Sequence, residues 1–307
     1  MARKIEKIDT FSRRVAYGKP ALCLSLPFLA VGGYFALAGF GALPLPGKLH
    51  APRAGIGFFG VAFALAGLML LVASVRGLRL RRRAERMRLL HENEPWVADY
   101  DWDPEGASDR ALGRWVYPLF GLAFLALFLV PFHWWAFFSR QGPWPVKIIT
   151  GIFDLILVLA ACTVLYRLAQ YLKFGTSRLR FARFPFHPGE RLQVVFAPNR
   201  FEVLDLTLRY VEERFESRGS GRNRSVQLVC YEHERIEQRL EAAPGCAEVE
   251  ITFDLPDDPA LVDSLGGPPL RYWELVIEAS LPGVDFRTSF PLPVYAARRP
   301  VSETCPV

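Results

Sequence analysis

Asp154 and His133 are the residues whose type and place in the chain are best suited to chemistry. Asp154 is the one charged residue within the apolar stretch 148–166, and His133 lies near the end of the apolar stretch 115–138. If both stretches are helices joined by the short SRQGPWPVK segment, the two side chains reach a similar depth near one end of a hairpin. An ionisable group within a membrane span costs roughly 2.5 to 3.5 kcal/mol on insertion scales, so a partner or a water-filled path is expected. Paired, an aspartate and a histidine can relay a proton or bind a cation. The plainer expectation, and the favoured one, is a structural hydrogen bond joining the two helices, with Asp154 protonated or reaching toward the interface.

Other chemistry is poorly supported. HENEP at His91 is not H-E-x-x-H, because Pro95 stands where the second histidine belongs and breaks the helix that motif needs. His233 in EHER has no partner at metal-ligand spacing, and no nucleophile elbow, phosphate loop or dinucleotide fingerprint occurs. Asp254, Asp257, Asp258 and Asp263 read more simply as a solvated turn around LPDDP than as a calcium loop. Asp99, Asp101 and Asp103 alone make a poor case for a membrane enzyme. The five cysteines are scattered, without a C-x-x-C pair, so neither a disulfide framework nor a zinc site is implied. No intrinsic catalysis, no cofactor and no metal is expected.

The elements that must carry Asp154 and His133 are read from hydropathy. Of 307 residues, 51% are hydrophobic, and most of these fall in residues 21–43, 54–75, 115–138 and 148–166. The first two stretches contain no charged residue, and roughly 20 apolar residues cross the hydrocarbon core as a helix. A helix of that length without a polar face would be exceptional in a soluble core. Four transmembrane helices, in two hairpins, are therefore expected. A cleaved signal peptide is the rival for the first, but the run is longer than an h-region and no cleavage site ends it. Small residues recur at four-residue spacing as Gly32 with Ala36, Gly60 with Ala64 and Ala62 with Ala66, and close packing of the first two helices is preferred to dimerisation.

Basic residues orient the helices. Arg3, Lys4, Lys7, Arg13, Arg14 and Lys19 precede the first, and Arg76, Arg79, Arg81, Arg82, Arg83, Arg86 and Arg88 follow the second. The two short loops carry only Lys48 with Arg53, and Arg140 with Lys147. The positive-inside rule then places both termini in the cytoplasm, with Trp134, Trp135 and Trp144 at the outer interface. The arginine cluster is followed at once by seven carboxylates between Glu92 and Asp109. That charge balance argues against nucleic acid as a partner. Arg76, Arg79, Arg83 and Arg86 fall at helical spacing, as if the second helix continued into the cytoplasm with a basic stripe. Such a stripe fixes topology and adds roughly 1 kcal/mol per residue toward anionic headgroups. Whether the acidic half folds back on the arginines or faces the following domain is left open by the sequence.

After Leu172 apolar residues alternate: Leu192, Val194, Phe196; Leu204, Leu206, Leu208, Tyr210; Val226, Leu228, Cys230; Val249, Ile251, Phe253, Leu255; Trp273, Leu275, Ile277, Ala279. Period-two runs separated by HPGE, APNR, LPDDP and LGGPP predict about seven strands in an antiparallel sandwich. The order of features, with FGTSRLRF, ITFDLPDDP and YWELVIEASLPGVDFRTSFPLPVY, resembles a family of bacterial integral membrane proteins whose C-terminal part is an arrestin-like, immunoglobulin-like β-sandwich. Trp273, Leu275, Pro282, Gly283, Phe290, Pro293 and Val294 match that sandwich's closing pattern. The resemblance implies a protein-interaction module and carries over no functional residue.

The expected class is therefore α+β: a cytoplasmic tail over 1–20, helical hairpins over 21–75 and 115–172, a charged cytoplasmic loop over 76–114, a cytoplasmic sandwich over 173–297 and a flexible tail over 298–307. The expected function is a membrane-anchored interaction or assembly module with a cytoplasmic or membrane protein partner. The alternative is a small transporter or transport-complex subunit using Asp154 and His133.

Overall fold

The computed structural model describes residues 2–5, 19–44, 52–91, 94–109, 111–139, 142–198, 201–218, 225–243, 246–281 and 283–297. Lys7, Arg13, Arg14, Lys48, Arg140, Pro282 and the 298–307 tail of the sequence reading lie outside the described residues. The chain is α+β and divides into two compact units, one of residues 14–80 with 110–175, the other of 1–13, 81–109 and 176–307.

The helical unit contains α1 (Lys19–Gly39), the first part of α2 (Arg53–Leu90), α4 (Ala111–His133) with a π-helical turn over Trp134–Phe138, and α5 (Trp144–Phe174). These four helices are long and apolar enough to cross a membrane. Glycine brings α1 and α2 together. A Cβ on Gly60 would collide with the Ala36 backbone nitrogen and lie 2.7 Å from the Gly32 carbonyl oxygen. A Cβ on Gly32 would collide with the Ala64 nitrogen and lie 2.8 Å from the Gly60 oxygen. Backbone-to-backbone approach of this kind is what small residues at four-residue spacing permit. Phenylalanines fill the remainder: Phe28 stacks on Phe63 at 5.3 Å, and Phe59 meets Phe63 at 4.7 Å and Phe128 of α4 at 5.2 Å. The outward faces are apolar as well, with Leu26, Leu155, Leu159 and Leu165 all at least 60% exposed.

The other unit is a β-sandwich with nine strands among the described residues, where about seven were expected. Its strands are β1 (Arg3–Ile5), β2 (Gly106–Ser108), β3 (Arg178–Phe181), β4 (Arg191–Ala197), β5 (Val203–Arg218), β6 (Ser225–Glu241), β7 (Val249–Asp254), β8 (Leu270–Ala279) and β9 (Phe286–Leu292). They form one sheet in the order β1-β6-β5-β8-β9 and another in the order β2-β3-β4-β7, with every ladder antiparallel. The two strands not anticipated, β1 and β2, are three residues each and come from segments read as a tail and a loop. Three residues are too few to register as an alternating run, and they become strands by pairing with β6 and β3. The sheets face each other through Phe196 of β4 against Phe286 and Phe290 of β9, at 6.1 and 6.3 Å between rings.

Alternation holds along most of these strands, and Leu192, Val194, Leu204, Leu206, Leu208, Trp273, Leu275 and Ile277 are buried. Val226 departs from it and is 66% exposed. Strand β8 pairs with β5 only over Asp205 to Glu213, so beyond that point, among the described residues, β5 and β6 pair only with each other.

Candidate functional site

In the helical unit the structure brings His133 and Asp154 together. The ring is fixed at both nitrogens. His133 Nδ1 lies 3.0 Å from the Leu129 carbonyl oxygen, one turn back on α4. A carbonyl only accepts, so that bond requires a hydrogen on Nδ1. Nε2 lies 2.8 Å from Asp154 Oδ1 on α5. With Nδ1 keeping its hydrogen, Nε2 and Oδ1 share one proton: an imidazolium faces a carboxylate, or a neutral imidazole accepts from a carboxylic acid. The pair has no net charge in either arrangement, which limits the cost of holding it among apolar helices. Pro131 and the π-helical turn flank His133, and Ser139 donates to the Trp134 carbonyl at 3.0 Å to close that wider turn. Such turns interrupt helices most often at functional positions.

Beside the pair lies an apolar cavity of about 450 Å³, lined by Pro52 just before α2, by Ala54, Gly55 and Phe58 of its first turns, and by Val130, His133, Trp134 and Phe138. Among the described residues, His133 is its one ionisable lining residue. Trp134 and Phe138 stack with ring centroids 5.3 Å apart and ring planes 18° from parallel.

In the sandwich unit the acidic half of the charged segment is docked in place. The short helix α3 (Pro95–Asp99) presents Asp99, whose carboxylate lies 3.2 Å from Arg88 Nη2 and accepts the Leu265 N–H at 3.3 Å. Trp102 Nε1 donates to the Tyr295 hydroxyl at 3.1 Å, and Trp96 meets the Tyr295 ring edge-on at 5.9 Å. Strand β2 then pairs with β3, and Asp109 donates its N–H to Ser177 O at 2.8 Å. The acidic half thus both folds back on an arginine and packs on the sandwich. Burial raises the Asp99 carboxyl above the ordinary range, against the opposing Leu265 N–H and Arg88.

The arginines of the basic stripe differ in their partners. α2 is unbroken from Arg53 to Leu90, so Arg76, Arg79, Arg83 and Arg86 recur along one helix. Arg83 faces Asp101 at 3.5 Å with both side chains exposed, and Arg76, Arg79 and Arg86 are exposed.

Two features escaped the sequence reading. Asp263, taken as part of a solvated turn, is buried: Oδ1 accepts the Trp273 N–H at 2.9 Å and Oδ2 the Val294 N–H at 3.0 Å. Burial pushes its carboxyl well up, and the charge of Asp99 adds to that. The sheet also buries an ionic row, with Arg209 Nη2 at 2.5 Å from Glu274 Oε1, Arg209 Nη1 at 3.7 Å from Glu232, and Tyr272 donating to Glu213. Charges at alternate positions read as a solvent face, and nothing in their spacing signals burial.

No protein-family model matches the chain, and no curated protein does. Among solved structures, the chain is similar to Spo0M, a sporulation control protein from Bacillus subtilis, at 16% identity and a TM-score of 0.22. The alignment covers 39% of this chain and about half, 49%, of that one. At that level the likeness fixes neither family nor function, and the two antiparallel sheets stand on their own geometry.

Proposed function

We propose that the protein is a membrane-anchored interaction module: α1, α2, α4 and α5 span a bilayer, and an arrestin-type sandwich on the cytoplasmic side binds a protein partner by adding a strand to β7. Spanning is supported by the exposed leucines along the apolar stretches of these helices, since soluble monomers rarely expose contiguous apolar patches beyond a few hundred Å². Orientation is supported by the arginines at the C-terminal end of α2, with anionic headgroups as their counter-charge.

The observation that carries the binding mode is the open edge of β7. Leu255 donates its N–H to Glu190 O, so odd-numbered residues of β7 direct their backbone groups toward β4. Backbone direction alternates along a strand, and the N–H and C=O groups of Glu250, Thr252 and Asp254 therefore point away from β4. Among the described residues no strand pairs with that side. Regular edges of this kind accept an added strand. Thr252→Pro removes an outward N–H without deleting a β4 ladder bond, so it should abolish partner capture by the full-length protein while leaving the sandwich folded. Capture undiminished in that variant would refute edge addition. Cysteines placed at Lys48 and Glu237 should label from opposite faces of sealed vesicles; labelling from one face would refute the topology.

The His133–Asp154 contact favours a second reading, a transport subunit that moves a proton through the pair. Asp154→Asn should then collapse flux while leaving partner capture intact, and unchanged flux would remove this reading.

A further inference from the structure

Arg167 of α5 is held against α4 by a bond that a proline makes available. Pro118 lies inside α4 and has no N–H, so the Arg114 carbonyl, four residues back, is left without a helical donor. Arg167 Nη1 donates to it at 2.9 Å. This contact sets the plane of a half-buried guanidinium and leaves the edge formed by Nε and Nη2 without an acceptor among the described residues. That edge is the one through which an arginine grips a phosphate with two parallel bonds. We propose that Arg167 binds the phosphate of an anionic phospholipid there, at a fixed site separate from the arginine stripe of α2. The inference rests on the reading that these helices span a bilayer with this end of the hairpin among the headgroups.

Charge selects an anion. An arginine stays protonated at any physiological pH. The helical unit has a single carboxylate in its whole sequence, Asp154, which is 13 positions before Arg167 on α5, about 20 Å along the helix, and is engaged by His133. No carboxylate among the described residues forms an ion pair with Arg167. Position then selects a lipid over a soluble phosphate. Arg167 directly follows residues 155–166, of which none is charged, and Leu159 and Leu165 in that run are 60% and 62% exposed. Acyl chains lying back along α5 cover those leucines, which a free anion leaves bare. One turn beyond Arg167, Tyr171 packs on Trp115 of α4 with ring centroids 6.0 Å apart, an aromatic pair of the sort that sits at headgroup level. Basic pockets between membrane helices on the cytoplasmic side bind anionic head groups in this way, and this site differs from the exposed stripe in having its guanidinium already oriented.

The test is native mass spectrometry of the full-length protein in a non-ionic detergent, titrated with dioleoylphosphatidylglycerol. A tightly retained lipid is expected for the wild-type protein. Arg167→Gln should weaken its retention about tenfold or more, as loss of a charge-assisted hydrogen bond does. Arg167→Lys keeps the charge without the two-donor edge and should fall between the two; it stands in for the glutamine variant if circular dichroism shows that variant unfolded. Pro118→Ala gives the Arg114 carbonyl a helical donor and frees the guanidinium, so retention should weaken with every charge unchanged, a result that general attraction does not produce. Lys147→Gln, near the other end of α5, also removes one positive charge and should leave retention as in the wild type. Inorganic phosphate in excess should not displace the lipid. Retention equal to the wild type in the folded Arg167 variants, or an equal loss in Lys147→Gln, would overturn the site. Unchanged retention in Pro118→Ala would overturn the anchoring of the guanidinium, and displacement by inorganic phosphate would overturn the lipid as occupant. Carbonate extraction of native membranes separates the two levels: release of the protein refutes the bilayer reading, whereas retention in the membrane without Arg167-dependent lipid binding refutes this site alone.

Discussion

Asp263→Ala should be among the most damaging single substitutions in the sandwich. The carboxylate is buried in the segment between β7 and β8, where it accepts the N–H of Trp273, in the middle of β8, and that of Val294, just past β9. Removing it strands two core N–H groups, each costing about 1 to 3 kcal/mol when unmet, so about 2 to 6 kcal/mol is expected together. Asparagine keeps one acceptor and should cost about half as much. Hydrogen exchange of the full-length protein in detergent reads this directly, because the Trp273 and Val294 amides should exchange roughly 30-fold to 10⁴-fold faster in the alanine variant. The pH dependence has a definite sign. Burial raises the Asp263 carboxyl in the folded state, so the folded state binds more protons than the unfolded one between the ordinary carboxylate range and the raised value. Stability is therefore greatest below that window, falls as pH rises through it, and levels off above. Asp263→Asn cannot titrate and should flatten the slope. Unchanged exchange at Trp273 and Val294 in Asp263→Ala would refute the bridging role, and a rise of stability with pH through the same window would refute the assigned direction.

Three further substitutions probe other contacts. Gly60→Leu drives a side chain into the α1 backbone around Ala36 and should destabilise the helical unit by about 1 to 3 kcal/mol, measured as faster unfolding in dodecyl sulfate; an unchanged rate would show that the helices do not pack through this face. Gly266→Ala places its Cβ on the Arg88 guanidinium and should expel it from Asp99, an effect of about 0.5 to 1 kcal/mol for a half-exposed pair; Arg88→Met should add nothing further in a double-mutant cycle. Trp102→Phe deletes the N–H that meets the Tyr295 hydroxyl and should cost about 0.5 to 1.5 kcal/mol, read as quicker proteolysis within residues 94–105.

The parts of the structure visible in the sequence are those set by solvent. Long apolar stretches and strict alternation are statistical over many residues, so α1, α2, α4 and α5 and the longer strands stood out, and the small residues of α1 and α2 announced a close crossing because only glycine admits backbone at that distance. What stayed hidden is decided by single contacts. Asp263 belongs to a run of aspartates around a turn; Asp258 behaves as a turn residue, its Oδ1 accepting the Ala260 N–H at 2.8 Å, while Asp263, five positions on, is turned inward by the N–H groups of Trp273 in β8 and Val294 just past β9. Nothing local distinguishes them. The same holds for WVADYDWD. Its carboxylates suggested a solvated loop, yet Trp96 and Trp102 meet Tyr295, almost two hundred residues later, and the backbone after them continues as β2. His133 and Asp154 were legible as a pair because a short hairpin fixes depth, but the cavity next to them was not, since half of its wall comes from the start of α2. A wall assembled from segments distant in sequence leaves no local trace, whereas His133, whose ring nitrogen Nδ1 donates to its own helix, stands out by residue type alone.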